Sequence, residues 1–166
     1  KCSHRENSDG LLALAQVWET ALEKIRFAAT ALLLIVEGVE KPGNLGSLIR
    51  TAEAAGADAL IVTDPVADIF NPNVIRNSQG ALFGFPVIVC DNDSALAWLK
   101  AKHIQILATT PAANEEYWRA NLKAAVAIVV GSEKDGLSDF WLSGAAHHLK
   151  IPMTGRSDSL NVNVAA

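Results

Sequence analysis

Short apolar runs alternate with amphipathic segments along most of this 166-residue chain. Six apolar runs have the length of strands, whereas the segments between them carry apolar residues at helical spacing. The pattern predicts helices over residues 44–55, 72–80 and 92–102, and strands over residues 31–37, 59–63, 85–89, 105–109, 124–130 and 148–151. Strands that alternate with helices are typical of an α/β fold, with a mostly parallel sheet and helices on both faces.

The opening third of the chain is ambiguous. Residues 11–17 have the composition of a strand, but five apolar side chains recur at helical spacing, namely Leu11, Leu14, Trp18, Leu22 and Ile25. Periodicity alone leaves both alternatives open. Further along, Asn44 and Asn92 are predicted N-caps, because an asparagine side chain can accept hydrogen bonds from the free amides of a first helical turn.

Composition narrows the class of protein. Half of the residues are hydrophobic and only 6% are aromatic, which suits one domain whose strands are buried in an aliphatic core. Every apolar run is shorter than the roughly 18 to 20 residues that span a bilayer, and the two cysteines lack metal-ligand spacing. Both observations favour a soluble, cytoplasmic protein without a metal. A net charge of −4 argues against a surface coated in positive charge but allows a local basic site.

Residues 40–50, E-K-P-G-N-L-G-S-L-I-R, form the first candidate segment, a turn from a strand into a helix. Free backbone amides at such a turn can hold an anion such as a phosphate. Ser47 and Arg50 share a helix face. The alternative is that Asn44 only caps the helix and Arg50 is an ordinary surface residue. The spacing is not that of a dinucleotide fingerprint.

Two further segments follow the last two predicted strands. Residues 131–138, G-S-E-K-D-G-L-S, place Glu133 at the carboxyl end of a strand, where open α/β sheets bind ligands. In residues 151–165, a long polar stretch puts Ser159 and Asn161 at the start of a helix. The alternatives are an ordinary capped turn before a short helix at Ser138, and an N-cap without further role.

Together these segments resemble the motifs of the SPOUT superfamily and, within it, the TrmH family of tRNA and rRNA ribose methyltransferases. Residues 44–52 match N-x-G-x-x-x-R-T-A, residues 131–137 match G-S-E-x-x-G-L, and residues 151–162 match I-P-M-x-G-x-x-x-S-L-N-V. Residues 77–83 are similar to the family's S-x-G-A-x-F element. The resemblance covers roughly residues 33–166, and Asn163 departs from it, since the family usually has a small hydroxyl residue there.

The resemblance implies a C-terminal deep trefoil knot, which is an exception to the rule that chains avoid threading. It also implies transfer of a methyl group from S-adenosylmethionine to a ribose 2′-hydroxyl of tRNA or rRNA, leaving S-adenosylhomocysteine. By position, the residues implied to bind the cofactor are Gly131, Ile151, Met153 and Leu160.

The catalytic set implied by the resemblance consists of Arg50, Asn44, Glu133, Ser159 and Asn161. A guanidinium with a pKa above about 12 is a poor base, so we expect Arg50 to orient groups and stabilise charge, while an RNA phosphate or an ordered water takes the proton. Glu133 is expected to fix Arg50 or its own loop by a charge-assisted bond. In the family this arginine acts across a dimer interface, which implies a homodimer.

Contact with RNA is expected first from a local positive patch of Arg50, Arg76, Lys134 and Arg156. His147 and His148 are expected to be structural, since nothing nearby in sequence completes a metal or acid–base set.

The domain organisation expected from the resemblance is a linker or remnant of an N-terminal RNA-binding domain over residues 1–10, followed by a catalytic domain over residues 11–166 whose C-terminal helix is cut short. Two alternatives stand beside the enzyme. One is a non-catalytic RNA-binding or dimerisation module with the same fold. The other is a nucleotide-binding α/β enzyme that holds phosphate at the turn over residues 42–46.

Overall fold

The fold is built on one sheet of seven strands, and every neighbouring pair is parallel. A computed structural model describes residues 13–27, 30–157 and 159–166. The strands lie in the order β3-β2-β1-β6-β4-β7-β5. Their bounds are Leu32–Glu37 (β1), Ala59–Thr63 (β2), Val87–Cys90 (β3), Gln105–Thr109 (β4), Glu115–Glu116 (β5), Val126–Val130 (β6) and His147–Lys150 (β7).

Five α-helices connect or follow these strands, together with three short 3₁₀ turns, within the described residues. All six predicted strands and all three predicted helices are present, with ends shifted by a few residues. The helices are Pro42–Ala54 (α1), Pro72–Asn77 (α2), Asn92–Ala101 (α3), Asp139–Gly144 (α4) and Val162–Ala165 (α5), and the turns are Leu22–Lys24, Ala81–Phe83 and Tyr117–Arg119.

The sheet is covered on both faces, as the aliphatic strand composition predicts. Side chains of one strand alternate between the two faces, so Leu33 and Ile35 join the cluster that contains α3 and Trp141 of α4. Leu34 and Val36 join the other cluster, which contains the buried side of α1 and also Val162 of α5. The chain is therefore an α/β protein with helices on both faces of a parallel sheet.

Both N-cap predictions are wrong. Helix α1 begins at Pro42 with Lys41 as its N-cap, because proline is pre-set for the first helical turn and has no amide to satisfy. Asn44 therefore lies inside that turn. Helix α3 begins at Asn92, but the cap is Asp91, whose carboxylate accepts from the Ser94 amide at 2.7 Å and whose pKa is lowered by that bond.

The opening segment, as far as the structure describes it, follows neither alternative. Residues 13–21 form neither helix nor strand, and Leu14 and Val17 are exposed. Leu22 and Ile25 are buried at a single 3₁₀ turn, whereas Leu11 and the predicted linker over residues 1–10 lie outside the described residues. Among the residues that are described, no helix is long and apolar enough to cross a membrane.

Close packing of α1 on α2 depends on Gly46. A β-carbon at this position would lie 2.6 Å from the Val74 carbonyl oxygen and 2.7 Å from Cβ of Asn77. Contacts that short do not occur, so only glycine lets the two helices approach. The packing of α1 on α2 therefore explains why the first motif has a glycine at position 46. The same packing sets the position of the first turn of α1.

Candidate active site

The three candidate segments meet at the carboxyl ends of the strands. Because parallel strands all end at the same edge of a sheet, the loops after β1, β6 and β7 are brought together there. The first segment lines a small adjoining pocket, and the second and third segments line a cleft of about 610 Å³. Its lining comes from residues 109–111, 130–137, 149–153 and 159–165, although not every residue of these ranges takes part. The sequence segments thus form one site although they are far apart in the chain.

The loop after β6 folds back tightly on itself. Ser132 and Gly136 exchange two backbone hydrogen bonds, each of 3.1 Å, and Gly136 has a φ of +71°. A β-carbon on Gly131 would lie 2.1 Å from the Gly136 carbonyl, so a larger residue would force this loop open. The two glycines of the second motif therefore give the loop its shape.

Glu133 projects from this loop and connects all three segments. One carboxylate oxygen accepts from the Lys41 ammonium at 2.8 Å, and the other accepts from the side-chain amide of Asn161. The hydrogen bond from Lys41 lowers the pKa of Glu133, with smaller contributions from Asn44 and from the backbone of Val162. Glu133 therefore holds its own loop to α1 and to the C-terminal segment. The alternative that it fixes Arg50 is wrong within this subunit, since its cationic partner is Lys41.

Three asparagines extend this connection to α5. The side-chain amide of Asn163 donates to the side-chain oxygens of Asn44 and Asn161, at 3.1 Å in each case. Asn161 is also the N-cap of α5, and its side chain accepts from the Asn163 amide at 3.0 Å. The first turn of α1 and the start of α5 are consequently fixed to each other. Helix α5 starts after Asn161, where the sequence predicts the start of a helix. The side-chain oxygen of Asn163 is buried and has no partner among the described residues.

Apart from Asn161, which caps α5, the predicted cofactor and catalytic residues fall into three groups by position. Six of them line the 610 Å³ cleft, namely Gly131, Ile151, Met153, Leu160, Ser159 and Glu133. Asn44 lies in a smaller pocket of about 80 Å³ that shares Glu133 and Val162 with the cleft. Arg50 is exposed on α1 and contributes to neither lining. A single subunit therefore does not place Arg50 among the residues that form the cleft.

The other basic and histidine candidates are spread over the surface. Lys134 lines both the cleft and the smaller pocket, whereas Arg76 and Arg156 are exposed and line neither. Nδ1 of His147 lies 3.5 Å from the Glu115 carboxylate, and Nε2 of His148 lies 2.7 Å from the Leu142 carbonyl. Both histidines have partners that suit a structural role.

Two residues that organise the site were not predicted from the sequence. They are Lys41 and Glu37, which is buried at the end of β1. Glu37 accepts from the Ser138 amide at 2.8 Å, from the Ser138 hydroxyl at 2.6 Å and from the Asn92 side chain at 3.1 Å. The only signal in the sequence is a carboxylate that ends an otherwise apolar strand, L-L-L-I-V-E.

Comparison with known proteins gives one consistent family. Residues 31–166 match the SpoU rRNA Methylase family. The chain is 36% identical over 141 residues to the 23S rRNA (guanosine(2553)-2′-O)-methyltransferase RlmP of Bacillus subtilis, covering 85% of this chain and 57% of that protein. It is 29% identical over 162 residues to a 23S rRNA (uridine(2479)-2′-O)-methyltransferase of Streptomyces viridochromogenes, covering 94% of this chain and 56% of that one.

Solved structures agree with these relatives. The fold superposes on a crystal structure of an RNA 2′-O ribose methyltransferase with a TM-score of 0.85 and 46% identity, covering 98% of this chain and 62% of that one. It superposes on the SpoU methyltransferase AviRb of Streptomyces viridochromogenes in complex with AdoMet with a TM-score of 0.86 and 28% identity, covering 90% of this chain and 59% of that one. The chain spans about half the length of the curated relatives described here.

Proposed function

The chain belongs to the SpoU rRNA methylase family, and from that membership we propose that it transfers a methyl group from S-adenosylmethionine to a ribose 2′-hydroxyl of rRNA or tRNA. The observation that carries the proposal is the convergence of three distant segments: two line the cleft, and the first is held to them through Glu133. Relatives named as 23S rRNA 2′-O-methyltransferases support the choice of reaction. Residues 11–166 form the catalytic domain in this proposal, and residues 31–166 of it match the family.

The cleft fits S-adenosylmethionine in size and in the chemistry of its walls. Its volume of about 610 Å³ lies within the range of roughly 300 to 1,000 Å³ that is usual for small-molecule sites. Ile151, Met153 and Leu160 provide apolar surface for an adenine, and Gly131 lines the same cleft. Bound there, the cofactor supplies a sulfonium methyl group as the electrophile.

Arg50 has the clearest chemical task in the proposal. The ribose 2′-hydroxyl must lose a proton as it becomes a nucleophile, and a guanidinium with a pKa above about 12 does not accept one. Arg50 therefore orients the ribose and its phosphate and stabilises negative charge on the oxygen. An RNA phosphate oxygen or an ordered water takes the proton.

The exposure of Arg50 supports a homodimer in which it acts on the cleft of the partner subunit. Arg50 lies on the solvent side of α1 in the single chain, and α1 is in contact with α5, which closes one side of the cleft. A second copy seated against α1 would bring this arginine to a cleft that it does not line within its own subunit. We expect Arg50→Ala to bind S-adenosylmethionine normally and to lose methyl transfer.

Glu133, Asn44 and Asn161 act as positioning residues in this scheme. Their hydrogen bonds hold the first turn of α1 and the start of α5 around the loop after β6, so the residues on either side of the cleft keep a fixed separation. Ser159 and Lys134 lie at the cleft surface and are proposed to contact the ribose and the RNA backbone. Arg76 and Arg156 are proposed as further phosphate contacts.

We also propose the deep trefoil knot. The segment between β7 and α5 leaves the sheet beside β4 and β5, yet α5 packs on α1 and buries Val162 in the cluster of that helix. The C-terminal segment must therefore cross the carboxyl ends of the intervening strands. A threaded C-terminus requires the chain to come back across the sheet in this way.

Calorimetry with S-adenosylmethionine tests the proposal directly. We expect saturable binding by the folded dimer and competition by S-adenosylhomocysteine. A Leu160→Asp variant places a charge in the apolar wall and is expected to abolish binding, whereas Asp93→Asn, on the exposed side of α3, should bind normally. Binding of NAD or ATP in place of S-adenosylmethionine would contradict the proposal.

A further inference from the structure

Two large aromatic side chains are exposed next to the cleft. Tyr117 and Trp118 lie on the 3₁₀ turn that follows β5, and 48% and 55% of their surfaces are exposed. Their rings contact each other at an angle of 76°, with 5.1 Å between the ring centres. A contiguous aromatic surface that stays in water marks an interaction site more often than a scattered exposed residue does.

The sheet places this aromatic pair at the edge of the proposed methylation site. Strand β5 pairs with β7 in parallel, and Glu116 lies opposite Lys150. Tyr117 directly follows Glu116, and Ile151 directly follows Lys150. Both Lys150 and Ile151 line the cleft. The aromatic turn is therefore continuous with the side of the cleft that the third motif forms.

Cationic side chains accompany the aromatic rings. Arg119 makes an ion pair with Glu116 through Nε at 3.3 Å, and 71% of its side chain is exposed. The two terminal nitrogens of the guanidinium take no part in this ion pair and make no hydrogen bond within the described ranges, so they can bind a further partner. Lys123, four residues on, is exposed as well. Aromatic faces beside Arg and Lys are the means by which proteins bind single-stranded RNA, through stacking of bases and contacts to phosphates.

We propose that residues 117–119 form a stacking platform for an unpaired base of the RNA substrate, next to the nucleotide that is methylated. This proposal rests on the proposed function for the identity of the neighbouring site. Chemistry favours RNA over a protein partner, because Arg119 follows the rings and offsets the charge of Glu116, and because the rings adjoin a site that must admit an RNA strand. The rings stack on bases of the same strand whose ribose enters the cleft.

Fluorescence anisotropy with a labelled single-stranded RNA of nine nucleotides and mixed sequence, at low salt, tests the platform. The double variant Tyr117→Leu/Trp118→Leu removes both rings, and Tyr117→Phe/Trp118→Phe keeps them. We expect the leucine variant to lose roughly fivefold or more in affinity and the phenylalanine variant to bind within about twofold of the unaltered chain. Phe83→Leu is the matched control, since Phe83 is 62% exposed and precedes β3, which lies at the opposite edge of the sheet from β5.

The proposal is overturned if the leucine variant binds the RNA as the unaltered chain does, or if Phe83→Leu weakens binding to the same extent. Thermal unfolding of each variant checks that the fold is retained. A measurement without substitutions gives a second test, because photo-crosslinking to 4-thiouridine in the same RNA should label Tyr117 or Trp118. Crosslinks that map only to other parts of the chain contradict the platform.

Failure of the platform and failure of the proposed function give different results. If the leucine variant transfers methyl groups with an unchanged KM for RNA, the platform is wrong and the proposed function stands. If the unaltered chain binds RNA through these rings but does not bind S-adenosylmethionine in calorimetry, the proposed function is wrong. The expected result is a raised KM for RNA with unchanged affinity for S-adenosylmethionine.

Discussion

Glu37, the last residue of β1, and Glu133, in the loop after β6, both lie at the carboxyl edge of the sheet but have different roles. Glu37 is buried and receives three hydrogen bonds from Ser138 and Asn92. The Glu133 side chain is 25% exposed and joins Lys41 to Asn161. The buried carboxylate fixes the base of the loop after β6 to the core, whereas the more exposed one joins that loop to the first turn of α1 and to the start of α5. We therefore expect Glu37 to contribute mainly to the stability of the fold and Glu133 mainly to the geometry of the site.

The largest effect is expected from Glu37→Ala. The substitution removes the acceptor of the part-buried bonds from the Ser138 amide and hydroxyl and leaves Asn92 with Asp64 as its remaining carboxylate partner, and donors that lose an acceptor in this way are costly. We expect the free energy of unfolding to fall by about 3 kcal/mol and Tm by roughly 10 °C, measured by thermal and urea unfolding. Glu53→Ala, on an exposed position of α1, is the control. An unchanged Tm for Glu37→Ala would show that the buried network does not stabilise the fold.

Glu133→Gln should show the opposite behaviour. Glutamine keeps the shape but weakens the bond to Lys41, and the exposed surroundings make the loss of stability small. We expect kcat/KM for methyl transfer to fall by about tenfold, since the loop and the C-terminal segment lose their fixed separation. Asp93→Asn controls for the loss of one negative charge. A large drop in Tm with full activity in the folded fraction would reverse the assignment of roles.

Lys41→Met tests the electrostatic part of this contact through its dependence on pH. In the intact pair the pKa of Glu133 is lowered and that of Lys41 is raised by their mutual hydrogen bond. The contribution of Glu133 is therefore complete above the ordinary carboxyl pKa of about 4.3 and is lost as pH falls through its lowered value. That of Lys41 is complete below its ordinary pKa and is lost as pH rises through its raised value.

For Lys41→Met, we expect the acid limb of the kcat/KM profile to move to higher pH, because the pKa of Glu133 returns toward its ordinary range. The profile of the unaltered chain, recorded at the same ionic strength, is the reference. An acid limb that stays in place would mean that Lys41 does not control the ionisation of Glu133.

The smallest effect is expected from Asn163→Ser. Serine restores the kind of residue that the family usually has here, and it removes a buried oxygen that has no partner among the described residues. It also removes the bonds from Asn163 to Asn44 and Asn161, so gain and loss oppose each other. We expect Tm within about 2 °C of the unaltered chain, by calorimetry. A drop as large as that of Glu37→Ala would make the three asparagines part of the stabilising core.

The sequence is informative where a feature depends on neighbouring residues and less so where it depends on distant ones. Long aliphatic runs predict the six main strands, whereas β5 consists of two polar glutamates and exists only because β7 lies beside it. Motif spacing brings Gly131, Met153 and Leu160 to one cleft. Lys41 and Glu133 are 92 positions apart, and Glu37 and Ser138 are 101 apart, so no local pattern predicts these contacts.

The N-caps show the same limit at short range. An asparagine at the start of an apolar period is a good cap by preference, but the neighbouring Pro42 and Asp91 are better suited to the positions that they occupy. Helix α1 therefore starts earlier than predicted, whereas α3 begins at the predicted residue but with Asp91 as its cap. As a result, Asn44 is free to contact Asn163, and Asn92 accepts from Nε1 of Trp141 at 2.7 Å.

Transfer of label from tritiated S-adenosylmethionine to rRNA and tRNA, followed by alkaline hydrolysis, tests the central claim most directly. A methyl group on the ribose 2′-oxygen blocks attack on the adjacent phosphodiester, so the label should appear in alkali-resistant dinucleotides and should be lost with Arg50→Ala. Label confined to mononucleotides, which would place the methyl group on a base, or no label with a folded dimer that binds the cofactor, would contradict ribose methylation at this cleft.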